Sequence, residues 1–299
     1  MARASTVVLS FLAAVAAMTA RDAPAAEDVD VCTAFIDSLP AVVGAPGYYC
    51  LRRDVATPSG SGEAILVTGD DITIDCNGFK IGGLAAGSGT ATTGIAAGLG
   101  VRGSTVRRCT VRGFRTGISL WATGALVEDN RLDGNTEYGI VLQGRYGRVR
   151  RNQVFRTGGT TYSANYTPVA IWVGSGSEVA DNFVSGVRVH AGAGWPIGIR
   201  AWDSFAPDYV LGSITGNRIT GLESASGTRF YAIHTGPGRG VVSGNQLLPG
   251  AGPIDAGGVL CNTLPGTGDA LVRQNTLSGF SAPILSGCVD GGGNVAPAP

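Results

Sequence analysis

The chain has 299 residues, and 48 of them are glycine, well above the usual share of about 7%. Apolar residues make up 44% of the chain and charged residues only 15%, which excludes the polar, highly charged class of disordered proteins. The formal net charge is zero, whereas proteins that bind nucleic acid carry a basic excess, so we expect no nucleic-acid partner. Because glycine destabilises helix interiors, the composition predicts a compact chain with frequent turns and little helix.

The first residues have the pattern of a secretory signal. Arg3 precedes an apolar run at 7–17, and small residues follow it, including an Ala-x-Ala site at 23–25. The run is shorter than the roughly 20 residues needed to cross a bilayer, and no later stretch is long and apolar enough to do so. We therefore expect a signal peptide over 1–26, no membrane span, and a secreted or periplasmic protein. Six cysteines, an even number, fit an oxidising compartment.

A repeated motif, apolar-x-x-Asn-x-apolar, runs through the chain. Nine units match it at intervals of 21 to 35 residues, and every flanking position in them is apolar. Cys109 and Asp54 take the central position in two early units. The other seven units carry Asn77, Asn130, Asn152, Asn182, Asn217, Asn245 and Asn275. Such a period is typical of a solenoid, in which each repeat stacks on its neighbours.

A second motif lies between the first ones. It is clearest as GISL at 117–120 and GIVL at 139–142, and it recurs as AIWV, GIRA, AIHT, GVLC and PILS. Alternation within the motif places its apolar side chains on one face of a short strand. The shortest repeats, of about 22 residues, are too short for a helix plus a strand but fit three short strands. The two motifs therefore predict three strands per coil, with equivalent positions stacked about 4.8 Å apart.

We interpret the asparagines and most charges of the first half as scaffold. Asparagine tolerates the left-handed dihedrals of a tight bend, and stacked amides can hydrogen-bond from coil to coil. The stacked positions two residues and one residue before the asparagine form two columns. Both columns alternate in charge along the stack, as cross-strand ion pairs require. These columns read Arg52, Asp75, Arg107, Glu128, Arg150 and Arg53, Cys76, Arg108, Asp129, Arg151, Asp181.

The repeats, together with PGYYCL from Pro46 and ITIDCNGFKI from Ile72, resemble secreted right-handed parallel β-helix proteins. These form the pectate-lyase-like superfamily with PbH1-type repeats, which includes the periplasmic NosD-like members. The resemblance covers residues 32–290 and is specific for the fold rather than for an activity. It implies a single-stranded right-handed parallel β-helix of about nine coils. It also implies that substrates lie against the outer face of the first strand, formed by the second motif, and the loop entering it.

Both open ends of a solenoid need a cap. We assign 27–50 to an N-terminal cap, within which 28–45 are expected to form a short amphipathic helix over the first coil. The β-helix is assigned to 51–290, and the Gly/Pro/Ala-rich segment 291–299 is expected to be a disordered tail.

The cysteines stand near the two ends and on adjacent early coils. Stacking places Cys76 and Cys109 one position apart on neighbouring coils, within bridging distance. Other pairings of six cysteines remain open. The expected bonds are Cys32–Cys50, Cys76–Cys109 and Cys261–Cys288.

The outward middle positions of the first strands predict a functional surface. They read Ser119, Val141, Trp172, Arg200, His234 and Leu260 along the stack. Trp172, Arg200 and His234 fall on neighbouring coils and form a stripe about 10 Å long. Two positions further along the strands come Trp121 and Trp202, with Asp203 just beyond.

Three insertions, at 157–168, 187–196 and 223–231, each precede a first strand and are expected to border this stripe. All four tryptophans and both histidines then lie on or beside one face. The residues that the insertions contribute to this face are Tyr162, His190, Trp195, Glu223 and Arg229.

Aromatic side chains with arginine and histidine suit an acidic polysaccharide. Rings stack on pyranose faces, and arginine binds a carboxylate with two donors. β-Elimination from a uronate needs a cation for the carboxylate and a base for the adjacent proton. Arg200 and His234 are the candidates, with His190 or Tyr231 protonating the leaving oxygen. Two alternatives remain: the tryptophans pack under the long loops, or the protein binds carbohydrate or protein partners without catalysis.

The sequence lacks the residues needed for glycoside hydrolysis or calcium binding on this surface. The outward positions of the stripe offer no pair of carboxylates for glycoside hydrolysis, and no carboxylate cluster suits calcium. We therefore expect no metal and no cofactor, and a protein that acts as a monomer on a polysaccharide.

Overall fold

Three parallel sheets form the molecule. The computed structural model describes residues 31–189, 194–202, 210–224, 229–250, 256–262, 269–285 and 287–297. Every strand pairing in this part of the chain is parallel, and each strand's neighbours come from the preceding and following coils. The expected right-handed parallel β-helix with three strands per coil is therefore confirmed.

The strands of each sheet follow one another at regular intervals along the chain. Sheet A contains Ala34–Phe35 (β1), Gly47–Cys50 (β3), Ile72–Asp75 (β6), Thr105–Arg107 (β9), Leu126–Glu128 (β12), Arg148–Arg150 (β15), Glu178–Ala180 (β18), Ser213–Thr215 (β21), Gly240–Ser243 (β24), Ala270–Arg273 (β27) and Cys288–Asp290 (β30). Sheet B contains Ala41–Val43 (β2), Glu63–Val67 (β5), Thr93–Ala97 (β8), Thr116–Leu120 (β11), Tyr138–Leu142 (β14), Val169–Val173 (β17), Ile197–Ala201 (β20), Phe230–Thr235 (β23), Ala256–Cys261 (β26) and Ala282–Ile284 (β29). Sheet C contains Val55–Ala56 (β4), Lys80–Gly82 (β7), Thr110–Arg112 (β10), Arg131–Asp133 (β13), Gln153–Phe155 (β16), Phe183–Ser185 (β19), Arg218–Thr220 (β22), Gln246–Leu247 (β25) and Thr276–Leu277 (β28). A short 3₁₀ helix covers Leu84–Ala86.

The core is a column of aliphatic side chains inside the coils. In sheet B the second-motif isoleucines pair directly from coil to coil and are fully buried. Burying such side chains stabilises the fold by about 1.5–3 kcal/mol each, and their in-register stacking fixes which residues of each strand face outward. The stacked core positions of sheet B are Ile118, Ile140, Ile171, Ile199 and Ile233.

An amide ladder runs along the bend between sheets A and C. Each asparagine Nδ2 except the last donates to the Oδ1 of the next coil at 2.9–3.1 Å. These buried amides satisfy one another and the surrounding carbonyls, which confirms their assignment to the scaffold. The ladder contains Asn130, Asn152, Asn182, Asn217, Asn245, Asn275 and Asn294.

The left-handed backbone position of the bend is the residue before the ladder asparagine, not the asparagine itself. Asp129, Arg151 and Asp181 have φ values of 56°, 54° and 55°. Later coils place Gly216 and Gly244 there, at 65° and 66°, where the absence of a Cβ removes the steric penalty. The preceding residue therefore turns the chain, which leaves the asparagine side chain directed into the coil.

Asn77 does not belong to the ladder, although its repeat unit aligns with the others. Four residues separate β6 from β7, whereas two separate β9 from β10. Asn77 itself has a φ of 49°, and its Nδ2 donates to Leu51 O at 3.1 Å. The two extra residues displace its amide from the stack, so the sequence alignment was wrong at this coil.

The alternating charges form ion pairs between coils, as expected. Asp75 is fully buried and accepts bonds from Arg107 at 2.7 Å and Arg108 at 2.6 Å. Glu128 accepts a bond from Arg150 at 2.9 Å. Because their partners are arginines of neighbouring coils, these carboxylates hold the register of sheet A.

The N-terminal segment does not form the expected helix. Within 31–50 the chain makes three short strands, β1 to β3, which add to sheets A and B. The prolines at 40 and 46 interrupt a helix, and β-branched Val42 and Val43 favour a strand. Asp37 of this segment pairs with Arg52 at 2.7 Å. Residues 1–30, which include the expected signal peptide, lie outside the described residues.

All three expected disulfide bonds are present. Their Cα–Cα distances are 5.8, 4.7 and 5.1 Å. Two of them fasten the first and last coils, and one joins two adjacent coils of the bend. The pairs are Cys32–Cys50, Cys76–Cys109 and Cys261–Cys288.

The C-terminal segment continues the solenoid instead of forming a disordered tail throughout. Asn294 Nδ2 donates to Val272 O at 2.9 Å, and Val295 N donates to Asn275 O at 2.8 Å. The ladder continues to Asn294 because its amide still finds a carbonyl of the coil beneath. No helix within the described ranges is long and apolar enough to cross a membrane.

Candidate functional site

The structure brings Trp172, Arg200 and His234 together on the outer face of sheet B. Trp172 of β17 pairs with Arg200 of β20, and Arg200 pairs with His234 of β23. The chain neighbours of each of these three residues point into the core. Because side chains alternate along a strand, the three residues themselves point outward. Sequence periodicity predicted this adjacency.

Two indoles hold the Arg200 guanidinium. Its Cζ lies 4.9 Å from the ring centroid of Trp172 and 5.2 Å from that of Trp202. Trp172 Nε1 donates to Trp202 O at 2.8 Å, which fixes that ring in its orientation. Cation–π attraction to two rings is strongest where water is excluded, and burial lowers the pKa of the Arg200 guanidinium.

Arg200 has no carboxylate partner within the described part of the chain. None of the ion pairs found there involves it, and its Nε is buried without a hydrogen-bond partner. Arginine is always charged at physiological pH. The site therefore presents a cation that is held in place by rings and is not neutralised by a described carboxylate.

His234 is a buried, neutral imidazole. It is 5% exposed, and its ring centroid lies 5.4 Å from that of Trp202 and 5.7 Å from that of Tyr231. Burial, followed by the positive charge of Arg200, lowers the pKa of His234 to about 4. Asn262 Nδ2 lies 3.1 Å from Nε2. An amide N–H there donates to Nε2, which places the imidazole proton on Nδ1, and Nδ1 is buried with no partner.

Further rings extend this surface. Tyr138 of β14 lies 5.7 Å from Trp172 between ring centroids, and burial raises the pKa of its phenol. On the other side Trp195, 48% exposed, lies 6.0 Å from Tyr231. We call this set of residues the aromatic row; it consists of Tyr138, Trp172, Trp195, Arg200, Trp202, Tyr231 and His234.

Other residues assigned to the site lie elsewhere or at its border. Tyr162 lies under Arg115, whose Cζ is 4.5 Å from its ring centroid. Trp121 is half-buried and directly follows β11, three coils before Trp202, which directly follows β20. Glu223 and Arg229 are exposed. His190 and Asp203 lie outside the described residues.

Two residues of the site were not predicted from the sequence. Tyr138 is the first residue of its strand, one position before the second motif, and Asn262 directly follows Cys261. Both stand next to a repeat rather than within it. Reading each strand one residue beyond its motif would have found them.

Three buried polar atoms without partners among the described residues lie on this face. Gln143 Nε2, Arg200 Nε and His234 Nδ1 are all buried and unbonded among the described residues. Each unsatisfied group costs about 1–3 kcal/mol, and such groups in a folded protein call for an explanation beyond stability. Within the described ranges, no group of three His, Cys, Asp or Glu side chains could hold a metal ion.

No protein-family model matches the chain, and no curated protein matches it. Among solved structures, a double mutant of the tailspike protein of E. coli bacteriophage HK620 matches with a TM-score of 0.58 and 10% identity, over 90% of this chain and 61% of that one. The Dettilon tailspike protein matches with a TM-score of 0.44 and 15% identity, over 88% of this chain and 60% of that one. DFA-IIIase from Arthrobacter chlorophenolicus A6 matches with a TM-score of 0.41 and 11% identity, over 83% of this chain and 64% of that one.

The chain thus spans about three fifths of the length of each of these proteins. At such identities the likeness to the HK620 tailspike shows the fold alone. The chain shares with that protein a parallel β-helix, and its own side chains must supply the argument for function.

Proposed function

We propose that this protein binds an acidic polysaccharide along the aromatic row. The observation that carries the proposal is the Arg200 guanidinium, held between Trp172 and Trp202 and without a carboxylate partner among the described residues. A fixed planar cation of this kind matches a carboxylate with two parallel donors. The expected occupant of the site is therefore the carboxylate of a uronic acid.

The rings beside Arg200 suit the rest of a sugar chain. Trp172 and Trp202 are half-buried, and Trp195 is 48% exposed, so their apolar surfaces can stack on pyranose rings. From Tyr138 to His234 the row crosses four coils, a length of about 14 Å at the coil spacing. This length accommodates several sugars, and the site is accordingly a platform rather than a pocket for a monosaccharide.

The cellular setting and chain organisation belong to the same proposal. Three disulfide bonds fit an oxidising compartment, and the expected signal peptide over 1–26 would bring the chain there. We propose a secreted or periplasmic protein that acts as a monomer. Its β-helix, which includes β1 to β3 at its start and Asn294 at its end, resembles the pectate-lyase-like and NosD-like proteins.

A second candidate function is β-elimination, favoured by the neutral His234 beside Arg200. In that reaction a base removes the proton next to the uronate carboxylate, a C–O bond breaks, and a C=C bond forms while the leaving oxygen takes up a proton. Arg200 would hold the carboxylate, His234 would accept the proton, and His190 or Tyr231 would donate one. However, His234 is only 5% exposed and its Nε2 faces Asn262. Binding without turnover is therefore the function that the geometry supports best.

Titration of the purified protein with a panel of acidic and neutral oligosaccharides tests the binding proposal. Trp172→Ala should weaken binding of the acidic ligand at least about tenfold, because it removes a stacking ring and a support of Arg200. Phe183→Ala is the matched control, since this outward ring of sheet C also carries an arginine, Arg218, 5.6 Å from its centroid. Equal losses in both variants, or no binding by the wild type, would overturn the proposal.

The same samples separate binding from catalysis. Ultraviolet absorbance reports the unsaturated product of β-elimination. Product formation that is lost in Arg200→Ala and His234→Ala would support the lyase candidate. Binding of the acidic ligand with no product would leave the protein as a binding module.

A further inference from the structure

A cavity of about 460 Å³ lies where the coils pass from sheet C towards sheet B. Three arginines line it, Arg112 at the end of β10, Arg156 after β16, and Arg188 in the following coil. None of the described residues that line this cavity is acidic. It contains no residue of the aromatic row.

The positive charge around this cavity exceeds the negative charge. Two carboxylates are nearby. Asp133 stands beside Arg112 in the strand pairing. Glu223 stands beside Arg188 in a single bridge, without forming an ion pair with it among the described residues. Arg156 already binds both oxygens of Asp133, through Nε at 2.8 Å and through a terminal nitrogen at 2.6 Å. This pairing lowers the pKa of the Asp133 carboxyl. Asp133 is thus committed to Arg156, and the charges of Arg112 and Arg188 remain.

The guanidinium of Arg112 has no hydrogen bond or ion pair with any described residue, and its Nε is buried. Arg188 is exposed, and among the described residues only its backbone is bonded, to Thr157 O at 2.9 Å. An unpaired arginine with a buried, unsatisfied donor is costly. An anion in the cavity would neutralise both side chains and accept hydrogen bonds from their accessible terminal nitrogens.

The wall of the cavity is built by a contact between distant parts of the chain. Thr161 N donates to Ser88 O at 3.0 Å, and the two hydroxyl oxygens lie 3.3 Å apart. Thr136, another lining residue, has a buried hydroxyl with no partner. The backbone N–H groups of Gly158 and Gly159 are already bonded. Recognition therefore falls to guanidinium and hydroxyl groups, which are donors suited to an oxyanion.

We propose that this cavity binds an oxyanion, in the form of a carboxylate, sulfate or phosphate group. Arg112 and Arg188 supply the charge and the hydrogen-bond donors. The ligand is either a free anion or an anionic substituent on a glycan. This site does not rest on the function proposed for the aromatic row.

Calorimetric titration at constant ionic strength tests the proposal. The probes are sodium sulfate, inorganic phosphate and a short oligogalacturonate, each added to the Trp172→Ala protein so that the aromatic row does not contribute. We expect one saturable site for at least one probe. Arg112→Gln should raise its Kd about tenfold or more, and Arg188→Gln should also raise it.

Arg148→Gln is the matched control, because it removes one exposed arginine from sheet A and should leave the Kd unchanged. If Arg112→Gln does not fold, the exposed Arg188→Gln carries the test. Saturable binding of the inorganic anions indicates a free anion, and binding of the oligosaccharide alone indicates a glycan substituent; both support the site. No saturable binding of any probe, or a Kd that neither substitution changes, overturns it.

Discussion

The Cζ of Arg200 lies 4.9 Å from the ring centroid of Trp172, its partner on the neighbouring coil. Backbone pairing of β17 with β20 sets the positions of both residues, and the bond from the indole N–H to Trp202 O sets the ring plane. A cation held in this way loses little conformational entropy when it binds a ligand, and this preorganisation favours affinity.

Arg200→Lys tests whether the planar guanidinium with its two parallel donors is needed for binding. Lysine keeps the charge but loses the paired donors and stacks poorly on the indoles, so we expect about tenfold weaker binding of an acidic oligosaccharide. Isothermal titration calorimetry measures it. Arg218→Lys is the control, because Arg218 stands over Phe183 on sheet C. A similar loss in both variants would show that the effect is not specific to the row.

His234 makes stability depend on pH. Its folded pKa of about 4 lies below the ordinary value of 6.5 because burial, and then Arg200, disfavour the charged ring. As the pH falls below 6.5, the unfolded chain therefore binds the proton first. The contribution of His234 to the free energy of unfolding therefore keeps its full value above pH 6.5 and falls between pH 6.5 and 4. The loss is up to about 3 kcal/mol. Urea unfolding at a series of pH values measures it.

The control for this prediction is His234→Asn, which removes the titrating group. The variant should lose the part of the pH dependence that falls between pH 6.5 and 4. An unchanged pH profile in the variant would mean that other groups, and not His234, cause the acid sensitivity.

Asn182 tests the amide ladder. Its Nδ2 donates to Val149 O at 2.9 Å and to Asn217 Oδ1 at 3.0 Å, and its Oδ1 accepts from Asn152. Asn182→Ala leaves these buried groups unsatisfied, so we expect a loss of about 3 kcal/mol in the free energy of unfolding. Asn165→Ala, at an exposed loop position, should change it by less than about 0.5 kcal/mol. Comparable losses would exclude a special role for the ladder.

The repeats made most of the fold predictable because equivalent positions of every coil have the same structural environment and therefore favour the same residue types. Asn130 and Ile118 predict a bend and an inward position only when read with their counterparts on other coils. The register of Trp172 with Arg200 follows directly from that repetition. Their adjacency could therefore be predicted without knowledge of any side-chain conformation.

What escaped prediction depends on local departures from the repeat. The two extra residues after Asp75 shift Asn77 out of the ladder, and no periodic pattern signals them. The Trp172 indole reaches Trp202 O through side-chain rotation, which spacing does not encode. The cavity beside Arg112 depends on a bond between residues 88 and 161, which are far apart in sequence and follow no repeat.

The disulfide between Cys261 and Cys288 tests how locally the solenoid is stabilised. It closes a span of 27 residues, for which chain-entropy arguments give about 3–4 kcal/mol. Each coil contacts only its neighbours, so the effect should concentrate at the C-terminal end. In the Cys261→Ala/Cys288→Ala double variant, amide hydrogen exchange should accelerate in β29 and β30 and not in β11 or β14. Uniform acceleration would contradict this local picture.

A crystal structure of the protein with a bound acidic oligosaccharide tests whether Arg200 binds a sugar carboxylate on the aromatic row. We expect a sugar carboxylate within hydrogen-bond distance of the Arg200 guanidinium, with pyranose rings against Trp172 or Trp202. An ordered oligosaccharide bound on another face, with Arg200 untouched, would contradict this expectation.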